Sequence, residues 1–248
     1  MREGATRPDQ AVTYLTSHDV EHPGERRLLT ELLTDEVRRR GLMAGTDDEL
    51  LLPVRDLVDA SPPPSDPGGI ALLAALQRAG SAYALLLTSV GMPMLLAGEE
   101  FGDVHDLDPR NYNLKMSDPV TWERRGRPAH LQLRCRVQEL VALRRTHPAL
   151  RDEAVHEWHH HPDFDADGAR VVAYCRTGGL PLGSAAQVAV IANLGPQAFP
   201  EYVLPWPWGT TAVTEVGPPA SGVQLLVDVP SGHARLSLEP FQVRVFTT

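Results

Sequence analysis

Lysine is almost missing from this chain: Lys115 is the one lysine among 23 basic residues, and arginine fills every other basic position. With the abundant alanine, leucine and proline, that bias reads as the codon usage of a GC-rich genome rather than as function. Cysteine is scarce as well. Cys135 and Cys175 are the two present and lie in segments of different type, which excludes a disulfide scaffold and fits a reducing cytoplasm. Positive charge is short overall. A net charge of −9 argues against nucleic acid as a partner, because that would require a basic face. No unbroken apolar run approaches the ~18 residues of a membrane span, and Met1-Arg2-Glu3-Gly4 has no apolar core of a signal peptide. Neither a membrane nor a targeting segment is expected.

What is present is the composition of a folded protein, 42% apolar and 22% charged over 248 residues, enough for one large domain or two ordinary ones. Residues 11–17 are short and β-prone, with Val12, Tyr14 and Leu15, and run into the polar pair His18-Asp19. This predicts a buried strand delivering polar side chains at its C-terminal end. Leu28, Leu29, Leu32, Leu33 and Val37 recur at helical spacing over residues 25–39. Residues 44–69 carry acidic and proline-rich stretches, which predict a surface excursion. A second helix is expected over 70–88, a second buried strand over 93–97, and a third helix over 130–146. Between the last two lies an irregular loop packed by Trp122. Beyond residue 150 the runs 171–174, 188–192, 223–229 and 241–246 are short, β-branched and separated by Gly, Pro or Asp, the pattern of a small antiparallel β domain.

Three stretches in this order carry a family resemblance. Ser17-His18-Asp19 follows the first strand, and Gly91, Pro93, Gly98 and Glu100 frame the second. The run Leu140-Val141-Ala142-Leu143-Arg144-Arg145-Thr146-His147-Pro148-Ala149-Leu150 closes the third helix. Together they resemble the seventh strand, the eighth strand and the final barrel helix of the α-amylase superfamily of glycoside hydrolases. Serine replaces the asparagine usual before His-Asp. The resemblance implies an α/β plus all-β chain. Residues 1–150 would be the C-terminal part of a (β/α)₈ barrel, strands 7 and 8 with their helices, and residues 151–248 an antiparallel β-sandwich domain. A full barrel needs ~250 residues, and the first segment offers 150 with two strands, so a truncated or split barrel is the expectation.

The implied chemistry is retaining cleavage or transfer at α-glucosidic bonds. It uses a nucleophile and an acid/base carboxyl about 5–5.5 Å apart, which the family carries on earlier strands. By resemblance Asp19 is the third carboxylate, stabilising the transition state, with His18 binding substrate beside it and Glu99 and Glu100 supporting. The implied partner is an α-glucan or malto-oligosaccharide, with a second polypeptide as a possible source of the missing strands. No cofactor and no metal are implied. A non-catalytic glucan-binding or interaction remnant is the competing reading, and the isolated chain is expected to be inactive.

Other features invite metal or sugar readings. His156, His159, His160 and His161 lack the spacing that directs ligands at one ion and read as a solvated linker. Asp103, Asp106, Asp108 and Asn111 miss the calcium-loop pattern and read as a solvated acidic loop. Trp206 and Trp208 read as packing inside the β domain rather than as a sugar platform.

Overall fold

A computed structural model describes residues 10–17, 26–104, 119–161, 169–209, 213–217, 226–228 and 231–248. The fold is mixed, with four helices and antiparallel sheets among the described residues, plus one short parallel pair. Contacts divide the chain into two compact units built from interleaved stretches. One comprises residues 14–80 and 94–137; the other comprises 1–13, 81–93 and 138–248.

The first unit is helical. Helix α1 (Leu28–Arg39) buries Leu29, Leu33 and Val37 along one stripe. Helix α2 (Asp47–Ala60) occupies the region expected to be a surface excursion. A capping box overrides the prolines: the Thr46 hydroxyl accepts from the Glu49 N–H, and the Glu49 carboxylate accepts from the Thr46 N–H at 2.7 Å. Pro53 removes one hydrogen bond inside the helix, yet Leu50, Leu51, Val54 and Val58 are buried beside it. Four such side chains supply about 1.5–3 kcal/mol each, more than the ~3 kcal/mol cost of an interior proline.

Helix α3 (Pro67–Thr88), of which residues 67–80 belong to this unit, begins three residues earlier than its apolar pattern. Its length and composition are those of a membrane-crossing helix, which corrects the expectation from unbroken runs. Gln77, Arg78 and Ser81 interrupt the run without lowering the average below that standard. A little over half of the stretch is buried within the protein. Arg78 pairs with Asp35 and with buried Glu36, at 2.9 Å from the latter. This is the setting of a core helix. Burial alone would raise the Glu36 carboxyl, but Arg78, Arg39 and Arg40 together hold it below the usual range.

The second unit contains two antiparallel sheets. Strands β3 (Val155–His160), β4 (Val171–Arg176), β5 (Val188–Asn193), β7 (Thr214–Glu215) and β10 (Val243–Thr247) make one sheet in the order β3-β4-β5-β10-β7. Strands β6 (Phe199–Pro205), β8 (Leu226–Asp228) and β9 (His233–Leu238) make the other, in the order β6-β9-β8. One apolar cluster joins them, including Val171, Ile191, Leu204, Leu236 and Phe246. Trp206 and Trp208 are buried in it, as packing residues. Trp158 meets Trp208 edge-on at 5.1 Å. The histidine run is not a linker but the edge strand β3, bulged between Glu157 and His159. The bulge lets Trp158 and His159 both reach β6: the indole donates to the Pro205 carbonyl and the imidazole bonds the Tyr202 hydroxyl at 2.8 Å. Cys175 is buried, whereas Cys135 is exposed on helix α4 (Pro128–Thr146).

The same unit holds the parallel pair. Strand β1 (Val12–Thr13) lies beside β2 (Met92–Pro93), with Val12 opposite Met92 and Thr13 opposite Pro93. Both strands are shorter than expected, and neither is buried: Val12 and Met92 are each 52% exposed. Two paired residues leave both flanks of this small sheet without a neighbouring strand among the described residues. Two arginines fix the approach to β2. Arg144 from α4 donates to the carbonyls of Leu87 and Ser89, both at 2.8 Å, and to that of Gly91. Arg176 from β4 donates to the carbonyls of Thr88 and Ser89, both at 2.7 Å, and to that of Asp152. The C-terminal carbonyls of α3, orphaned by the end of the helix, are thus capped by two guanidinium groups.

Candidate functional site

His18 and Asp19 lie outside the described residues. Their described flanks are tied together. Thr16 and Ser17 are buried, and the Arg27 guanidinium donates to the Ser17 carbonyl. Arg27 is also the residue from which α1 starts, and its own side chain does not cap the helix.

Glu99 supplies that cap from a distant turn. Its Oε1 accepts the Thr16 hydroxyl and lies 3.4 Å from the Leu28 nitrogen, the first residue of α1. Glu99 is buried. A carboxylate at a helix N-terminus satisfies an otherwise unpaired N–H and meets the positive end of the helix dipole. One oxygen therefore connects the end of the segment before His18 with the beginning of α1. Glu100, the residue that matched the family spacing, behaves differently: it is half-buried and accepts the Gly98 N–H at 2.7 Å. Of the two acidic residues, Glu99 makes the long-range connections.

The turn that presents them depends on glycine at two places. Gly98 and Gly102 have φ of +95° and +75°. A Cβ on Gly102 would meet Leu76 Cδ2 at 2.6 Å and Leu29 Cδ2 at 3.1 Å, so both conformation and space demand glycine. His130, fully buried on α4, bonds the Phe101 carbonyl through Nδ1 at 2.8 Å. The carbonyl is an acceptor, so Nδ1 carries the proton and Nε2 holds a lone pair. Burial pushes the His130 imidazole below its ordinary pKa; the bond to the Phe101 carbonyl and Asp103 oppose the effect, and Arg127 and Arg124 add to it.

Asp103 is not part of a solvated acidic loop. It is fully buried, pairs with Arg124 and accepts the Thr121 N–H at 3.1 Å. Arg124 also holds Asp59 on α2. With both oxygens engaged, Asp103 is committed to structure; Asp106, Asp108 and Asn111 lie outside the described residues. Among the described residues no group of three His, Cys, Asp or Glu side chains could hold a metal ion. The β3 histidines are dispersed: His159 turns to Tyr202, while His160 lies 3.8 Å from Glu157.

Trp122 is half-exposed yet packs against Phe101 with ring centroids 5.7 Å apart. Sequence reasoning missed Thr16, Arg27, Arg124 and His130, since none carries a motif and each acquires its role only through burial. As chemistry, this constellation orients rather than reacts. A buried carboxylate bonded to a hydroxyl and a backbone N–H is a fastener and not a nucleophile.

No protein-family model matches the sequence, and no curated protein matches it either. Solved structures do. The pullulanase from Bacillus acidopullulyticus aligns over 97% of this chain at 15% identity with a TM-score of 0.54. The pullulanase from Paenibacillus barengoltzii, in complex with maltohexaose and α-cyclodextrin, aligns over 98% at 20% identity with a TM-score of 0.53. At such identities the likeness is one of fold. The chain spans 24% and 30% of the length of these two proteins.

Proposed function

We propose that this chain is the C-terminal portion of an α-glucan-acting glycoside hydrolase or transglycosidase of the α-amylase superfamily. Residues 1–150 would hold barrel strands 7 and 8 with their helices, and residues 151–248 the β-sandwich domain that follows. The observation that carries the reading is the parallel register of Val12 with Met92 and Thr13 with Pro93, joined by a helical crossover. Consecutive parallel strands with helices between them are the repeating unit of a (β/α)₈ barrel. Alignment over nearly the whole chain to two pullulanases supports the same architecture. The maltohexaose and α-cyclodextrin of one of those structures support a glucan as the ligand class.

In this reading Asp19 stabilises the cationic transition state, His18 binds a sugar hydroxyl, and Glu99 holds the strand end that precedes them. Glu100 supports the same turn. The nucleophile and the acid/base belong to strands that the matched motifs do not include, so the chain by itself does not turn over substrate. A cytoplasmic location goes with the scarcity of cysteine.

Reducing-sugar release from maltodextrin by the pure chain, with Asp19→Asn as control, tests this. The expected result is no release. Turnover lost in the variant would overturn the inactive reading. Glucan binding without turnover would favour a non-catalytic binding remnant, and activity appearing only on mixing with a second polypeptide would identify a split enzyme.

A further inference from the structure

We infer that His130 is a proton-operated latch on the Glu99–Gly102 turn: when neutral it fastens the turn, and when it takes a second proton it lets the turn open. The inference stands on geometry alone and is independent of the proposed function.

The ring is fully buried, and its two nitrogens have opposite fates. Nδ1 donates to the Phe101 carbonyl at 2.8 Å. Nε2 is buried with no hydrogen-bond partner among the described residues. In the neutral ring that costs an unsatisfied lone pair. In the protonated ring it would be an unsatisfied N–H carrying positive charge, a far less favourable state.

The polar and charged groups that bear on the ring come from several elements. The turn contributes the Phe101 carbonyl, and the segment after it contributes Asp103. The 3₁₀ segment Trp122–Gly126 contributes Arg124, and the start of α4 contributes Arg127. Helix α2 acts through Asp59, which binds Arg124, and through the carbonyls of Val58 and Asp59, both 3.0 Å from Arg127. Among the described residues Asp103 is the carboxylate that acts directly on the ring, and it is already committed to Arg124 and the Thr121 N–H. The Phe101 carbonyl and Asp103 favour an imidazolium, but burial, Arg127 and Arg124 outweigh them, in line with the depressed affinity of His130 for a proton. Opening relieves the conflict by giving the ring to water.

The turn is held by its own short hydrogen bonds, Gly102 N–H to the Glu99 carbonyl at 3.0 Å and Asp103 N–H to the Gly98 carbonyl at 2.9 Å. Their exchange therefore reports opening directly. The experiment is amide exchange on the full chain, read as protection factors for residues 99–103 between about pH 7.5 and about pH 5, with the His130 ring followed by NMR. If opening exposes the ring, one proton is linked to it. Protection then falls by up to about tenfold per pH unit below the ordinary histidine pKa of about 6.5.

His130→Asn keeps a donor for the Phe101 carbonyl but does not titrate, so its protection should be flat over this range; His130→Gln is a second variant of the same kind. An equal slope in a folded variant overturns the proposal. So does a flat wild-type profile, whatever the variants do.

Discussion

Removing the Glu99 carboxylate is the most direct test of how the candidate site is held. In Glu99→Ala the Thr16 hydroxyl loses its acceptor and the Leu28 N–H loses its cap, both around a buried position. Loss of a helix cap costs about 1 kcal/mol. Loss of a buried hydrogen bond to a charged group adds about 1.5–3 kcal/mol. The sum, about 3 kcal/mol, is a substantial part of the stability of an ordinary domain. Glu99→Gln keeps the shape and one acceptor oxygen but loses the charge at the helix end, worth about 0.3–1 kcal/mol. The two variants should therefore separate by about 2 kcal/mol. Urea denaturation followed by far-UV circular dichroism measures this, since Glu99 belongs to the helical unit. A cycle with Thr16→Val isolates the hydroxyl contribution, with a coupling of about 0.5–3 kcal/mol expected for groups in contact. The reasoning fails if Glu99→Ala is within about 0.5 kcal/mol of wild type, the range of an inconsequential surface change.

Three further outcomes follow from the geometry. Arg144→Lys should lower stability by about 2 kcal/mol or more in thermal or urea unfolding, because one ammonium does not span three carbonyls as the planar fork does; a change below about 0.5 kcal/mol would contradict the capping role. Gly102→Ala should cost at least about 2 kcal/mol from the 2.6 Å approach to Leu76 and the positive φ, whereas a neutral result in the same assay would mean that the turn yields. Acid should weaken the β-sheet unit. Burial lowers the affinity of His147 and His159 for a proton, and His161 and His160 add to this at His159. The unfolded chain then binds more protons, so their contribution is complete above about pH 6.5 and shrinks as pH falls toward the depressed folded values. Near-UV melting temperatures should drop between about pH 7 and about pH 5, with a shallower slope in His159→Gln; an unchanged slope would assign the effect to other groups.

Much of this architecture could be read in the residues, and the failures have physical causes. Helices α1, α3 and α4 and strands β4, β5, β8 and β10 follow from their apolar patterns, which are strong enough to outweigh local noise. Helix α2 was obscured by Pro53 and the prolines after it, although the Thr46–Glu49 capping box was present in the sequence as its start signal. The histidines of β3 have neither strong strand preference nor regular alternation, since the bulge at Trp158 breaks the period. The strands β1 and β2 were recognised by their flanking motifs, but the exposure of Val12 and Met92 was not, because burial depends on neighbours in space. In the candidate site, the Gly-x-Glu spacing pointed to Glu100. Glu99 became the anchor only because the turn aims it at Thr16 and the start of α1, a direction set by Gly98 and Gly102 in three dimensions.

The guanidinium of Arg176 closes the end of a helix that was made 88 residues earlier. On a ribosome working from the N-terminus, Thr88 and Ser89 must wait for strand β4 before their carbonyls find this partner. The last turn of α3 therefore receives its second guanidinium only once β4 has been made. Premature termination before residue 176 would leave the Thr88 carbonyl without that guanidinium even though every residue of the helix had been translated.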